Sequence, residues 1–279
     1  MKVLKFGGSS IGTSNGIHNA SDIVVDTNHE SRVVVVVSAL SGVTDRLIDL
    51  EVAWSRGDDK RIDKLVHWLH ARHINLGSSV LGTIAFNDYH RFCDRQLDWL
   101  RTVLQVRANG PSTRDEILAL GERLSAPLFA SLLQRKGVKS AATDSTLLIR
   151  TNANHGDARI VDHATTALLR TWYRSIPSDF TPVVTGFLGS TSNGMTTTLG
   201  RSGSDYSASA IGVILQAHVV ERWTDTDGLY SSNPAEEKEA EQLPRISLSD
   251  AIRRHRETGL GIHPKALEAL EDAGIPLHV

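Results

Sequence analysis

Lys5-Phe6-Gly7-Gly8-Ser9-Ser10 puts a lysine, two glycines and two hydroxyls in one short run near the start of the chain. Glycines without a Cβ let backbone N–H groups approach phosphate oxygens, a following helix adds a favourable dipole, and the lysine supplies a point charge. The run therefore has the parts of a phosphate-handling loop. Its spacing is not Gly-x4-Gly-Lys-[Ser/Thr], which disfavours a P-loop enzyme. Taken alone, a glycine pair after a strand also reads as a simple turn.

A second segment runs from Gly186-Phe187-Leu188-Gly189 through Asn193-Gly194-Met195 into Thr196-Thr197-Thr198-Leu199-Gly200-Arg201-Ser202-Gly203-Ser204-Asp205. A threonine strand enters a glycine-rich turn and opens a helix. Asp205 suits a helix cap, worth about 1 kcal/mol. A cap requires neither Arg201 nor the glycines at 200 and 203, whereas an arginine beside backbone donors makes a two-pronged receptor for a carboxylate. A third segment, Trp223-Thr224-Asp225-Thr226-Asp227-Gly228-Leu229-Tyr230, ends a strand in hydroxyls, carboxylates and a glycine turn. Nucleotides sit at such places, beyond the carboxyl ends of strands. Asp-Gly by itself is only a turn signal.

The elements that must hold these segments are legible in outline. Lys2 to Phe6 reads as a strand, Thr13 to Asn28 as a helix with Ile17, Ala20, Ile23 and Val24 on one face, and Arg32 to Ser38 as a strand. Five consecutive valines in that last strand mark a parallel sheet covered on both sides, and the strand–helix–strand opening points to an α/β layered fold. Helical patterns dominate from Val43 to about Val106, and Asn109-Gly110-Pro111 breaks them. A helix is then expected from Thr113 to Lys136, capped by Thr113 with Glu116 three residues on. Pro182 to Thr185, Thr196 to Leu199 and Val219 to Trp223 read as strands. Asp205 to Leu215 and Pro264 to Ala273 read as helices, and Leu277 begins a further strand. No internal repeat or low-complexity linker divides the chain.

Bulk properties exclude several classes of function. The chain has 279 residues, 40% hydrophobic and 22% charged, with a net charge of −2. That balance argues for a soluble globular protein and against broad capture of nucleic acid or of an anionic membrane. Met1-Lys2-Val3-Leu4-Lys5 offers no signal-peptide core, and the run Val33 to Val37 is too short to span a bilayer. The single cysteine, Cys93, cannot form an internal disulfide and fits a reducing cytoplasm.

Together the three segments resemble the aspartokinases of the amino-acid kinase family. Ser38-Ala39, Gly42-Val43-Thr44, Gly121-Glu122, Arg150-Thr151-Asn152, Ile262-His263-Pro264-Lys265 and Gly274-Ile275-Pro276-Leu277 match in the family's order. The resemblance implies a three-layer αβα sandwich of the carbamate kinase-like type, with a mainly parallel central sheet. It implies one domain over residues 1–279, with a helical insertion at about 45–110 and a nucleotide-binding half at about 200–279. Its implied activity is ATP-dependent phosphorylation of the side-chain carboxylate of L-aspartate, with Mg2+. That is the first step of aspartate-family amino-acid biosynthesis or of a dedicated pathway.

By resemblance, Lys5 stabilises the phosphoryl group in flight and Asp205 orients that lysine. Gly7, Gly8 and Ser9 line the phosphates, and Thr224, Asp225 and Tyr230 contact the nucleotide. Arg201 and Ser204 hold the α-carboxylate, while Ser38, Thr44, Glu122 and Phe187 complete the amino-acid pocket. Glu122 suits the substrate ammonium; without the resemblance it reads as a solvated helix residue. No metal-ligand set is assigned. The implied partner is a small amino acid, and the resemblance allows a homodimer or a separate regulatory chain.

Two positions depart from the family pattern: Ala235 follows Pro234 where an arginine is expected, and Leu260 stands where a lysine precedes the His-Pro pair. Both expected cations serve ATP phosphates, so a kinase for another amino acid or small carboxylate, or a non-catalytic amino-acid-binding protein, are the alternatives. Arg253-Arg254-His255-Arg256 reads either as a compensating basic cluster or as a solvated helix face. The family's closing strand and paired ACT regulatory domains would follow Val279, so the sequence reads as a minimal kinase or as a fragment. His67, His70 and His73 read as a surface series rather than a zinc site, and Cys93 as helix filler.

Overall fold

The computed structural model describes residues 1–105, 110–231, 239–258 and 261–279. Lys2–Phe6 forms β1 and Val33–Val37 forms β2, paired in parallel from Lys2 with Val33 to Phe6 with Val37. Lys139–Thr143 (β3) and Phe180–Thr185 (β4) extend the sheet on one side, and Val219–Trp223 (β7) and Leu277–His278 (β8) on the other. The strand order is β3-β4-β2-β1-β7-β8, and every pair is parallel. Leu188–Ser190 (β5) and Thr196–Thr198 (β6) make a separate antiparallel hairpin.

The valines of β2 show why helices cover both faces. Side chains alternate along a strand: Val33, Val35 and Val37 join Leu4 and Phe6 in one core, while Val34 and Val36 join Val3 and Val184 in a second. Complete burial of each contributes about 1.5–3 kcal/mol. Over the first face pack Ser14–Glu30 (α2, preceded by the short α1, Gly8–Ile11), Val43–Ser55 (α3), Asp59–Val80 (α4), Thr83–Gln105 (α5) and Pro111–Arg135 (α6). Over the second pack Asp162–Ser175 (α7), Gly203–Ile214 (α8) and Pro264–Ala273 (α10), with Leu248–Thr258 (α9) beside α10. The expected αβα layering is what the chain adopts.

Details depart from the sequence expectations. Helix α6 starts at Pro111 with Gly110 as its cap, so Thr113 lies inside the first turn. Glu116 does not close a capping box but pairs with Arg123 Nη1 at 2.6 Å. Proline in the first turn needs no N–H and outcompetes the threonine as a helix start. Helix α8 begins two residues before Asp205, at Gly203.

The three histidines on α4 are not a surface series. His67 is exposed, whereas His73 is fully buried, its Nδ1 bonded to Leu69 O at 2.8 Å, and burial pushes its pKa down to about 4. They lie three residues apart on a helix with 3.6 per turn, so the series drifts around the axis and only its end enters the core. Cys93 is buried in α5, and burial raises its thiol to about 12, the state of an inert core residue. No described helix is long and apolar enough to cross a membrane.

Candidate functional site

Alternation along β1 decides where Lys5 goes. Leu4 and Phe6 face the α2–α6 layer, so Lys5 shares the opposite face with Val3, under α8. Asp205, in the first turn of α8, meets it there: Lys5 Nζ lies 2.7 Å from Oδ1, and the two side chains are 9% and 5% exposed. Gly186 permits this approach, because a Cβ on it would lie 2.6 Å from the Ser204 side chain and 3.0 Å from Ser204 Cα. The β4 end and the start of α8 therefore touch through bare backbone.

Lys5 and Asp205 form the floor of a cleft of about 460 Å3 that Ser38, Thr44, Glu122, Phe187, Arg201 and Ser204 also line. Residues from widely separated parts of the chain thus converge, in the grouping the sequence predicts for an amino-acid pocket. Ser38 directly follows β2, and Thr44 stands in the first turn of α3. Glu122, on α6, is buried rather than solvated; its Oε1 accepts the Ala39 N–H at 3.0 Å. Burial pushes its carboxyl up to about 8, against the opposing effect of that backbone hydrogen bond. An ammonium group placed beside it would favour the ionised form. Arg201 is exposed in the β6–α8 turn, with no side-chain partner among the described residues.

Two non-glycine residues of the cleft hold left-handed backbone, Phe187 at φ 69° and Ser202 at φ 57°. Such conformations cost about 1–3 kcal/mol each and cluster at ligand sites. Phe187 is held by its N–H donating to Ser207 Oγ at 3.0 Å, and Asp205 N donates to Ser202 O at 2.9 Å.

The predicted nucleotide segments adjoin at one edge of this cleft. Gly7 N and Ser10 Oγ both donate to Trp223 O, at 3.2 Å each. Gly8 packs so closely that a Cβ there would lie 2.5 Å from Ala39 O. Asp225 accepts from Thr224 Oγ1 at 3.1 Å. Its own backbone N–H first, and then the Thr224 and Ser9 hydroxyls, keep its carboxyl below the usual range. Ser9, Thr224 and Asp225 thus form one polar edge. Tyr230 is not in the Lys5 cleft; it lies in an isolated bridge with Gln242. Ala235 and Leu260 lie outside the described residues.

Of the basic run on α9, Arg253 pairs with Asp250 at 2.5 Å and Arg256 with Glu268 at 4.0 Å, and none of the run lines the cleft. Sequence reasoning missed two cleft cations. Arg114 opens from the first turn of α6, and Arg222, on β7, contacts Asp205 Oδ2 through Nε at 3.4 Å. It also missed buried Asp115, which accepts from Thr198 Oγ1 at 2.6 Å, His155 Nδ1 at 2.8 Å and Gly156 N at 3.1 Å. That carboxylate ties the β6 strand and the 155–156 turn to α6. No signal in the local sequence marks any of the three.

The cleft thus offers a buried ammonium oriented by a carboxylate, an exposed guanidinium able to pair with an anion, and a buried carboxyl able to pair with a cation. Comparison with known proteins identifies the family. A sequence model described as "Amino acid kinase family" matches residues 1–279. The chain is 31% identical over 283 residues to bifunctional aspartokinase/homoserine dehydrogenase 1, chloroplastic, of Zea mays, covering 99% of this chain and 30% of that protein. It is 30% identical to lysine-sensitive aspartokinase 3 of Escherichia coli (strain K12), over 99% of this chain and 60% of that one. Among solved structures, E. coli aspartokinase III in complex with aspartate and ADP superposes with a TM-score of 0.91 at 26% identity, over 99% of this chain and 61% of that chain. The same enzyme with lysine and aspartate gives 0.85 at 25% identity, over 100% and 64%. The chain thus spans between 30% and 60% of the length of the two sequence relatives.

Proposed function

The chain belongs to the amino acid kinase family, and from that premise we propose that it transfers the γ-phosphate of ATP to the side-chain carboxylate of L-aspartate, giving 4-phospho-L-aspartate and ADP. The observation that carries this reading is the Lys5–Asp205 pair on the floor of the same cleft that Arg201 and Glu122 line. A carboxylate oxygen of the acceptor forms the new bond to Pγ as the Pγ–O bond to the β-phosphate breaks, and the electron pair leaves on ADP. Little covalent work falls to the protein; positioning and charge neutralisation suffice.

In this reading Lys5 neutralises charge on the moving phosphoryl group, and Asp205 fixes the lysine. Gly7, Gly8 and Ser9 line the phosphates, and Thr224 and Asp225 border the nucleotide, with Tyr230 further out. Arg201 and Ser204 take the α-carboxylate, and Glu122 the ammonium, with Ser38, Thr44 and Phe187 closing the pocket. Mg2+ enters with the nucleotide as part of the MgATP substrate. Residues 1–279 then act as one catalytic unit whose nucleotide half is formed by about 200–279. A homodimer and a cytoplasmic location complete the proposal, the latter supported by the lone buried cysteine.

A coupled ADP-release assay with MgATP and L-aspartate tests the reading, with Lys5→Ala and Asp205→Asn as controls. Aspartate-dependent ADP release that falls sharply in both variants supports it. Turnover that survives both changes, or aspartate binding without any ADP release, would discard it. Substituting other amino acids and small dicarboxylates in the same assay tests the choice of acceptor.

A further inference from the structure

Lys5 has a second cation beside it on the same face of the sheet. In the parallel pairing of β1 with β7, Lys5 is the register partner of Arg222, so both side chains rise on the α8 side. The residues two positions earlier, Val3 and Val220, pack together in the core beneath α8. Asp205 therefore sits between two cations, its Oδ1 at 2.7 Å from Lys5 Nζ and its Oδ2 at 3.4 Å from Arg222 Nε. Arg222 lines the same cleft and is 18% exposed.

One buried carboxylate is thus shared by a buried ammonium and a part-buried guanidinium on the wall of the cleft. Arg222 spends little of its hydrogen-bonding capacity on the protein: among the described residues it makes one bond, Nη2 to Gly261 O at 3.2 Å, out of five N–H donors. Its Nε is buried without a hydrogen-bond partner. A guanidinium so placed is equipped to grip a planar or tetrahedral oxyanion with a fork of donors. Gly261 also adjoins position 260, where the sequence carries leucine in place of the implied lysine.

We propose that Arg222 is a second phosphate-binding cation, which with Lys5 takes the oxygens of the transferred γ-phosphoryl group, Asp205 holding both cations in register. The inference rests on the kinase reading of this cleft. As the acceptor oxygen bonds to Pγ and the bridging Pγ–O bond breaks toward ADP, charge spreads over three equatorial oxygens. A point charge and a fork serve those oxygens better than a point charge alone. The competing role is structural: Arg222 would only neutralise Asp205.

Calorimetry on the intact chain separates the two roles, titrating the β,γ-methylene analogue of MgATP, MgADP and L-aspartate into wild type, Arg222→Lys and Arg222→Gln, with melting temperatures alongside. A contact to the γ-phosphate predicts that Arg222→Gln weakens the analogue by about tenfold to a hundredfold, the range for a hydrogen bond to a charged group. ADP and aspartate then change by less than about threefold, a small fraction of such a bond. Arg222→Lys recovers part of the loss, because it restores charge but not the fork. Equal binding of the analogue by wild type and Arg222→Gln overturns the proposal. So does an equal loss for analogue and ADP accompanied by a fallen melting temperature, which marks the structural role. Wild type that shows the analogue-selective contact but releases no ADP with aspartate leaves Arg222 assigned and overturns the aspartate reading instead.

Discussion

Asp205 holds Lys5 on one carboxylate oxygen and Arg222 on the other, at 2.7 Å and 3.4 Å, with all three side chains less than one-fifth exposed. The arrangement is asymmetric under mutation. Lys5→Ala leaves Asp205 still paired with Arg222, whereas Asp205→Ala leaves the buried Lys5 and the part-buried Arg222 facing each other. Removing one partner of a buried pair costs about 3–5 kcal/mol, and here that cost falls mainly on the loss of Asp205. Urea denaturation should therefore rank Asp205→Ala well below Lys5→Ala in stability. Both should lose kcat, by about a hundredfold or more if Lys5 stabilises the transferred group as an oxyanion donor does. Equal stability of the two variants would contradict the shared-carboxylate picture.

Arg201 has no side-chain partner to lose among the described residues, so on the proposed reading its removal reads out ligand contact almost alone. Arg201→Ala should leave the melting temperature and the KM for ATP unchanged and raise the KM for the acceptor. The rise should be about tenfold to a hundredfold, from a charge-assisted two-pronged bond to the α-carboxylate. Steady-state kinetics with each substrate varied in turn checks it. A rise in the KM for ATP would move Arg201 to the nucleotide end of the cleft.

On the proposed reading, in which Glu122 takes the acceptor ammonium, acceptor binding depends on pH. Its carboxyl is pushed up to about 8 by burial, so the free protein carries it mostly protonated at neutral pH. An acceptor ammonium requires the carboxylate. Affinity for the acceptor should therefore weaken as pH falls below about 8, by up to about tenfold per unit, the slope of one proton taken up. For folding the sign is opposite. A carboxyl whose folded pKa lies above its unfolded value of 4.5 contributes stability below 4.5 and loses it as pH rises toward 8. Glu122→Gln should flatten both profiles and weaken the acceptor most above about pH 8, with the two proteins converging as pH falls. Calorimetric titrations and melting curves across that range make the measurement.

The parts of the site that local pattern could reveal are the ones that carry a loop signature: Lys5 before Gly7-Gly8, and Arg201 and Asp205 around a glycine turn. The structure brings those together. Arg222 escaped because Val219 to Trp223 reads as an ordinary strand, and only its register against β1 sets it opposite Lys5. Register is a long-range pairing that a single strand does not encode. Glu122 became legible through resemblance alone, since its burial depends on α6 packing across β2 and α3. Helix α7 was missed for a different reason: only Thr165 and Leu169 are buried in it, too few for a clear period. The strand ends were easier. Lys2–Phe6 and Val219–Trp223 stop where expected, because polar or glycine-rich loops follow them directly.

Gly186 links stability to activity in a way that a surface glycine does not. A Cβ there would lie 2.6 Å from Ser204 Cβ and Oγ and 3.0 Å from its Cα, so the start of α8 must move away from β4. Ser204 and Asp205 move with it, while Lys5 stays on β1. Overpacking of this kind costs about 1–3 kcal/mol, a drop in melting temperature of several degrees for a chain of this size. Because the displaced helix carries Asp205, kcat should fall further than the stability loss alone explains at temperatures where the variant is fully folded. Gly82→Ala is the control, since a Cβ there meets nothing within 4 Å and its backbone is not left-handed. Standing at the start of α5, it costs at most about 1 kcal/mol through a weaker cap and should leave turnover near that of wild type. If Gly186→Ala folded with full activity, the contact between β4 and α8 would not be what sets the Lys5–Asp205 distance.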